Sequence, residues 1–522
     1  MTLRLLLLVV TFVVGVPVQP VRSAPPKPRS TSLAVEIVDK TVEYPLARAF
    51  DLPDVVRRIT GHPYEAVNVD PFDDVPNSGW FTHRNDRTPL SPAQIRAGAG
   101  GSGPDTTGQW RVVAFKSAGV TPGMTIVDGS GNRYLIKFDP PGFEGLASGA
   151  EVVSSRLFHA AGYNVPQNHV IQLDPSRLVC AEGAVHDIGP DDGRQPLSRS
   201  GLNDDLLTRL MRRANPASGP RVRALASRFL SGRILGPFAY VGARHDDPQD
   251  IYRHEHRREL RGLYVVASWL NHADMKEENT LDVYDPVREG VVHYLIDFGA
   301  SLGSNSTGPS NPRRGRANSF DLTHSLVRLV TAGLFVYDYE RDPGTIVHPA
   351  VGYLDNDLFR PDGWKPMYPA PPFDQRTDRD AFWGARIVTS FDDSQIAAAV
   401  DAASYPEEAA QAMISFLAQR RDRIGRYWFS RVNPLDRFII RDGQLHFEDL
   451  AILRGYAPVT RTDYQVEVST AVGRSLKREA IDRTVVDLES SWRQDVVVSL
   501  RPLRSGFSGG PVRVQLRRDP GG

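Results

Sequence analysis

Four short stretches of this chain hold side chains whose types and spacing can move a phosphoryl group. Residues 270–284 read LNHADMKEENTLDVY and place His272, Asp274, Lys276 and Asn279 close together. Downstream, Asp297-Phe298-Gly299 closes the apolar run HYLI, and upstream YLIKFD holds Lys137 and GAEVVSSRLFHAAG holds Glu151. Phosphoryl transfer from ATP is largely positioning and charge stabilisation. It needs a lysine on the α/β phosphates, a helix-borne acid to hold that lysine, and a base for the acceptor hydroxyl. It also needs an amide and a carboxylate on Mg2+. Asp274 can present the base, and Asn279, five residues on, an amide oxygen to the metal. Lys276 can neutralise charge on the moving phosphoryl group. Asp297, at a strand end before glycine, projects a carboxylate into a cleft. Glu151 can pair with Lys137 and keep it pointed at phosphates. Backbone N–H groups of the KSAGVTPG turn, with Gly119 and Gly123, can cradle phosphate. Each part also has an ordinary reading: D-F-G as a strand-ending turn, Lys137 as a snorkelling surface residue, and the two glycines as hairpin residues. Glu277 and Glu278 read as solvated.

Elements must bring these side chains together. WRVVAFKS, MTIVD and RYLIKFD are β-rich runs separated by short glycine-containing turns, the pattern of an antiparallel meander. Strand alternation puts Leu135 and Lys137 on one face and Ile136 and Phe138 on the other. Val152, Val153, Leu157, Phe158 and Ala161 follow a helical period, and Gly162 marks its stop. NHVIQL is a further strand, 202–214 an inserted helix, and RFLSGRILGPFAYVG ends a first lobe. HEHRRELRGLYVVASWL then reads as an amphipathic helix, with Leu260, Leu263, Ala267 and Leu270 on one stripe. TLDVYD and VVHYLIDFG are two short strands around a loop, and a Ser/Asn/Gly/Arg loop fills 300–319. Helical segments follow to about 430, and the tail alternates in strand style. No βαβ alternation appears, so a doubly wound nucleotide fold is not favoured.

The residues HADMKEEN and LIDFG, after YLIKFD and GAEVV, resemble the protein-kinase-like superfamily, whose loop motif has the same Asp-to-Asn spacing. The likeness covers about 110–435. It is nearer to atypical members (HipA-like and CotH-type kinases, phosphatidylinositol kinases, aminoglycoside phosphotransferases) than to ordinary protein kinases. It implies an α+β, bilobal kinase-like fold with a β-rich N-lobe, a helical C-lobe and ATP between them. Lys137 matches the phosphate-binding lysine, Glu151 its helix partner, Asp274 the catalytic base, and Asn279 and Asp297 the Mg2+ ligands. His272 matches the loop histidine, a structural role. Ala273 replaces the usual arginine, and no G-x-G-x-x-G or A-P-E is present. The resulting division is a signal peptide (1–23), an irregular N-terminal extension (24–109), an N-lobe (110–245), a C-lobe (246–435) and a C-terminal β-rich domain (436–522).

Bulk properties bound this reading. With 522 residues, the chain is too long for one ordinary core. Lys+Arg and Asp+Glu are both 62, so the net charge is zero, which argues against a global grip on nucleic acid or an anionic membrane. Arg4, an apolar run and small residues before a cut after Ser23 make a secretory signal, with a membrane anchor as the alternative. Cys180 is the single cysteine, so no internal disulfide supports the exported chain. In the extension, Trp80 and Phe81 either anchor it to a neighbouring domain or sit in a loose linker. SGFSGGPV, with Ser508, has a serine-protease flavour, but Phe507 replaces the preceding acid and the chain soon ends; a glycine turn between strands is preferred. His254 and His256 lie two apart in a helix and do not share a face, which disfavours zinc. The basic loop NPRRGRANSF is either solvated or a dock for an anionic acceptor. Two functions follow: an exported kinase using Mg2+ and ATP on a hydroxyl of a protein or small molecule, or a secreted nucleotide-binding scaffold without catalysis.

Overall fold

In a computed structural model, residues 25–116, 121–187, 194–196, 202–214, 220–319, 327–342, 344–488 and 495–517 are described. The expected signal segment lies outside them. β1 (Trp110–Lys116), β2 (Gly123–Val127) and β3 (Arg133–Phe138) form the antiparallel meander. It is the centre of a seven-stranded sheet, ordered β4-β7-β3-β2-β1-β5-β6. The outer strands are β4 (Asn168–Leu173), β5 (Leu178–Asp187), β6 (Arg194–Pro196) and β7 (Val222–Arg228). β7 is unassigned in the sequence reading. Its small residues Ala224 and Ala226 are buried in the sheet, where packing rather than propensity decides the strand. Helix α6 (Leu202–Ala214) is found where the sequence places it.

Helices α1 (Leu33–Val38), α2 (Tyr44–Ala49), α3 (Leu52–Ile59) and α4 (Pro92–Ala97) precede the sheet, so the extension is partly helical rather than irregular. Helix α5 (Leu146–Ala161) packs beneath the sheet. It begins after Gly145 and stops at Gly162, both in the left-handed region. Its first N–H groups would be orphaned by helix geometry. The Asp139 carboxylate accepts from the N–H groups of Gly145, Ala147 and Ser148 and from the Ser148 hydroxyl. Asp139 stands two residues beyond Lys137, so one cap ties the lysine strand to the glutamate helix.

Helix α7 (Arg258–Trp269) is the centre of the second lobe, which has a three-stranded sheet, β8 (Arg233–Gly236), β9 (Thr280–Asp285) and β10 (Gly290–Leu295). β8 falls within 110–245 by position but pairs with β9. The helix starts at Arg258, with His254–His256 a separate 3-10 turn. It is not amphipathic in place: every residue of it is buried. The extension covers its polar side. Arg258 pairs with Asp73 and Asp380, and Asn68 bonds Glu259 and the Arg258 N–H. Trp80 lies flat on His293 with ring centroids 3.5 Å apart, and Phe81 is fully buried against Gly162. These two residues are anchors. Helices Asp378–Val388, Asp393–Asp401 and Glu407–Arg431 complete the lobe.

The tail is β-rich, with sheets β11-β12-β15 and β14-β13-β16-β17 around a core that includes Phe447, Val466, Val498 and Leu500. β11 is Leu435–Arg441, β12 Gln444–Asp449, β13 Asp463–Thr470, β14 Ser475–Ile481, β15 Val485–Asp487, β16 Val496–Leu503 and β17 Val512–Leu516. Ser508 lies in the turn between β16 and β17, its N–H donating to the Ser430 carbonyl. Among the described residues no helix is long and apolar enough to cross a membrane.

Candidate active site

Strand β3, helix α5 and the segment after β10 deliver three charged groups to one point. Lys137 Nζ lies 2.9 Å from Asp297 Oδ1 and 3.9 Å from Glu151 Oε2. Glu151 is buried, Lys137 nearly so, and 46% of the Asp297 side chain is exposed, which opens its carboxylate to the cleft. Burial alone would pull the lysine's pKa down, but the Asp297 and Glu151 charges outweigh it and hold Lys137 above the lysine range. Burial works the other way on the acids. It pushes Glu151 up more than Lys137 draws it down. At Asp297 the burial effect is overcome by Lys137, with Lys116 and Lys276 assisting, so this carboxyl stays below its usual range. Asp297 is therefore the firmly ionised acid of the pair.

Local backbone supports this arrangement. Asp297 has φ of 61°, a left-handed conformation that a non-glycine residue adopts at a cost. A Cβ on Gly299 would lie 3.3 Å from Glu151 Oε2, so glycine there lets the segment approach the glutamate. Phe298 is fully buried, stacked on Phe158 of α5 and edge-on to His272. The ring contact joins the segment after β10 to α5 and to the loop after α7. His272 is buried, and desolvation depresses its pKa to about 4, with Asp274 opposing. It is a neutral packing residue at neutral pH.

The loop between α7 and β9 brings the remaining groups. Asn279 Nδ2 donates to the Asp274 carbonyl at 2.7 Å and to its Oδ2 at 3.1 Å. The carboxamide nitrogen is thus committed, which leaves Oδ1 as the amide's acceptor atom. The Asn279 carbonyl accepts from the N–H of Ile296, the residue before Asp297. Lys276 lies 3.3 Å from Glu278, and burial lowers its pKa less than Asp274 and Glu278 raise it. Lys137, Glu151 and Asp297 therefore meet directly, while Asp274, Lys276 and Asn279 border them through the Asn279–Ile296 bond.

Some sequence expectations need revision. Glu277 is not solvated: it is buried, accepts from the Tyr240 N–H, and pairs with Arg29 and Lys40 of the extension. Glu278 alone stays exposed. Gly119 lies outside the described residues. Gly123 is the first residue of β2, opposite Lys137, and a Cβ there would lie 2.4 Å from the Ile136 carbonyl oxygen. Close strand packing explains this glycine. The basic loop is not simply solvated either. Arg314 bonds Asn305 and the Met367 sulfur and is drawn to the Asp274 charge. Two contributors escaped the sequence reading. Lys116, at the end of β1, lies in the field of Lys137, Asp297 and Glu151. Asp139 sets α5. Neither had a local signal: Asp139 lies six residues before the Gly145 cap position of α5, and Lys116 simply ends a strand.

No protein-family model matches the sequence, and no curated protein matches it. Among solved structures, the crystal structure of the Golgi casein kinase is similar with a TM-score of 0.29 and 10% identity, over 77% of this chain and 92% of that one. A score of 0.29 carries no weight, so the functional reading rests on the residues themselves.

Proposed function

We propose that this chain is an atypical kinase, which transfers the γ-phosphoryl group of ATP to a hydroxyl of a protein or small molecule. One observation carries the reading: a nearly buried lysine held between a helix glutamate and an aspartate that opens to the cleft, beside an Asp–Asn loop. Lys137 binds the α/β phosphates once nucleotide displaces Asp297 from it. Glu151 then keeps the ammonium aimed. Asp274 accepts the proton of the acceptor hydroxyl as its oxygen attacks the γ-phosphorus and the bond to the β-phosphate oxygen breaks. Lys276 and Arg314 stabilise the charge that spreads over the moving group.

Asp297 and Asn279 are the residues that would hold Mg2+. The donor set suits the ion: an ionised carboxylate, and a carboxamide whose nitrogen is already committed. Bound there, Mg2+ would supply charge neutralisation between the phosphates. Export by the N-terminal apolar run is part of this proposal, and nucleotide would then have to be supplied locally.

The test is thermal stability with Mg-ATP, together with transfer of radiolabelled γ-phosphate to the chain itself and to hydroxyl-bearing proteins. Wild type is expected to be stabilised and to transfer label, while Asp297→Ala does neither. A wild type indifferent to Mg-ATP sinks the proposal. Stabilisation without transfer favours the non-catalytic scaffold.

A further inference from the structure

Behind α5, away from the Lys137 cleft, lies a second cavity of about 290 Å³ lined by Arg96, Arg156, His169, Asp401 and Ser404. Arg156 is 4% exposed, and its Nε and Nη1 are buried with no hydrogen-bond partner. A buried guanidinium normally has a carboxylate. Among the described residues no acid answers it: burial draws its pKa down to about 10, with no opposing charge. Among the described residues Asp401 is the only acid lining the cavity, and Arg96 already takes it. His169 Nε2 is likewise buried without a partner.

The wall over Arg156 is the glycine run GAGGSG. Gly98, Gly100, Gly101 and Gly103 all have φ between 55° and 88°. A Cβ on Gly98 would come within 2.4 Å of the Arg156 Cδ, and one on Gly101 within 3.5 Å of His169 Nε2. The loop is shaped to approach both side chains. The kinase-like site uses none of these groups.

We infer that this cavity is a second, separate binding site for a compact phosphate-bearing anion, held by the Arg156 guanidinium with Arg96 at the rim. Arginine suits such a ligand because its planar fork bonds two oxygens at once. The volume admits inorganic phosphate or a small phosphomonoester.

The experiment is calorimetric titration of the full chain at constant ionic strength, with inorganic phosphate in one arm and glycerol 1-phosphate in the other. Lys137→Ala serves as background, so that phosphate in the nucleotide cleft does not contribute. Saturable binding is expected to persist in Lys137→Ala. It weakens about tenfold or more with Arg156→Gln, and about twofold to fivefold with Arg96→Ala, whose exposed side chain leaves the core intact. The tighter arm identifies the source of the phosphate. No saturable binding of either probe, or binding unchanged by both arginine variants, overturns the site. Because the Mg-ATP response is read separately in wild type, failure here leaves the kinase proposal standing, and the reverse also holds.

Discussion

At the scale of single residues, Lys137 is the hinge of the proposed chemistry, and its two acids differ. Asp297 touches it and opens to the cleft, whereas Glu151 is buried behind it. Asp297→Ala is expected to cut phosphoryl transfer by about 10³-fold or more, since a metal ligand and a charge partner go together. Circular dichroism should show the fold kept. Glu151→Gln keeps the shape but removes the charge that aims Lys137. We expect a higher KM for ATP and a fall in transfer of about 10- to 100-fold, read from steady-state kinetics. A pH prediction rests on His159 of α5, where burial, with Arg84 and Arg156 nearby, depresses the pKa to about 3. Its folded form binds fewer protons than the unfolded chain between about pH 6.5 and 3. Stability must therefore fall as pH drops through that window. His159→Gln should lose less Tm between pH 7 and pH 5 than wild type does.

At the scale of elements, α5 is the part that joins the two lobes. It carries Glu151 toward the cleft, Phe158 onto Phe298, and Arg156 into the rear cavity. Both its ends are set by specific residues. Asp139→Ala should cost about 2 kcal/mol, because it strips the cap from several N–H groups. It should also raise the KM for ATP, because the helix bearing Glu151 loses its tie to β3; urea unfolding and kinetics measure the two effects. At the other end, Gly162 has φ of 117°, and an added Cβ would lie 2.2 Å from the Phe81 ring. Gly162→Ala should destabilise by about 1–3 kcal/mol, seen as a lower urea midpoint.

At the scale of the whole molecule, the N-terminal extension is structural. Asp74 accepts from Trp383 Nε1 and pairs with Arg87 and Arg386, and Arg386 goes on to Asp436 at the start of the C-terminal β domain. One buried carboxylate thus joins the extension, the helical lobe and, through Arg386, the tail. Asp74→Ala leaves the buried Trp383 indole N–H without its acceptor and strips Arg386 of one of its two carboxylates, Asp436 remaining. It should lower unfolding free energy by about 1–3 kcal/mol, and limited proteolysis should release the extension sooner. Helix α7 shows why this matters. Read alone it has a polar face for water, yet Arg258, Glu259 and Arg261 are covered by partners from the extension and from Asp380.

The sequence by itself determined what is local. The meander, the α5 helix with its glycine stop, the two strands that follow the Asp274 loop and the β-rich tail all follow from periodicity and turn residues within a few positions. The side chains of the candidate site were also visible as types and order. Tertiary structure decided what depends on partners distant in sequence. It made Trp80 and Phe81 anchors, turned Glu277 from a solvated acid into a buried ion-pair partner, and drew β7 into the sheet. It brought Lys116 near Lys137 and left Arg156 without an acid among the described residues. Whether a charged side chain meets water or a counter-charge is set by which surfaces pack over it, and no spacing along the chain records that.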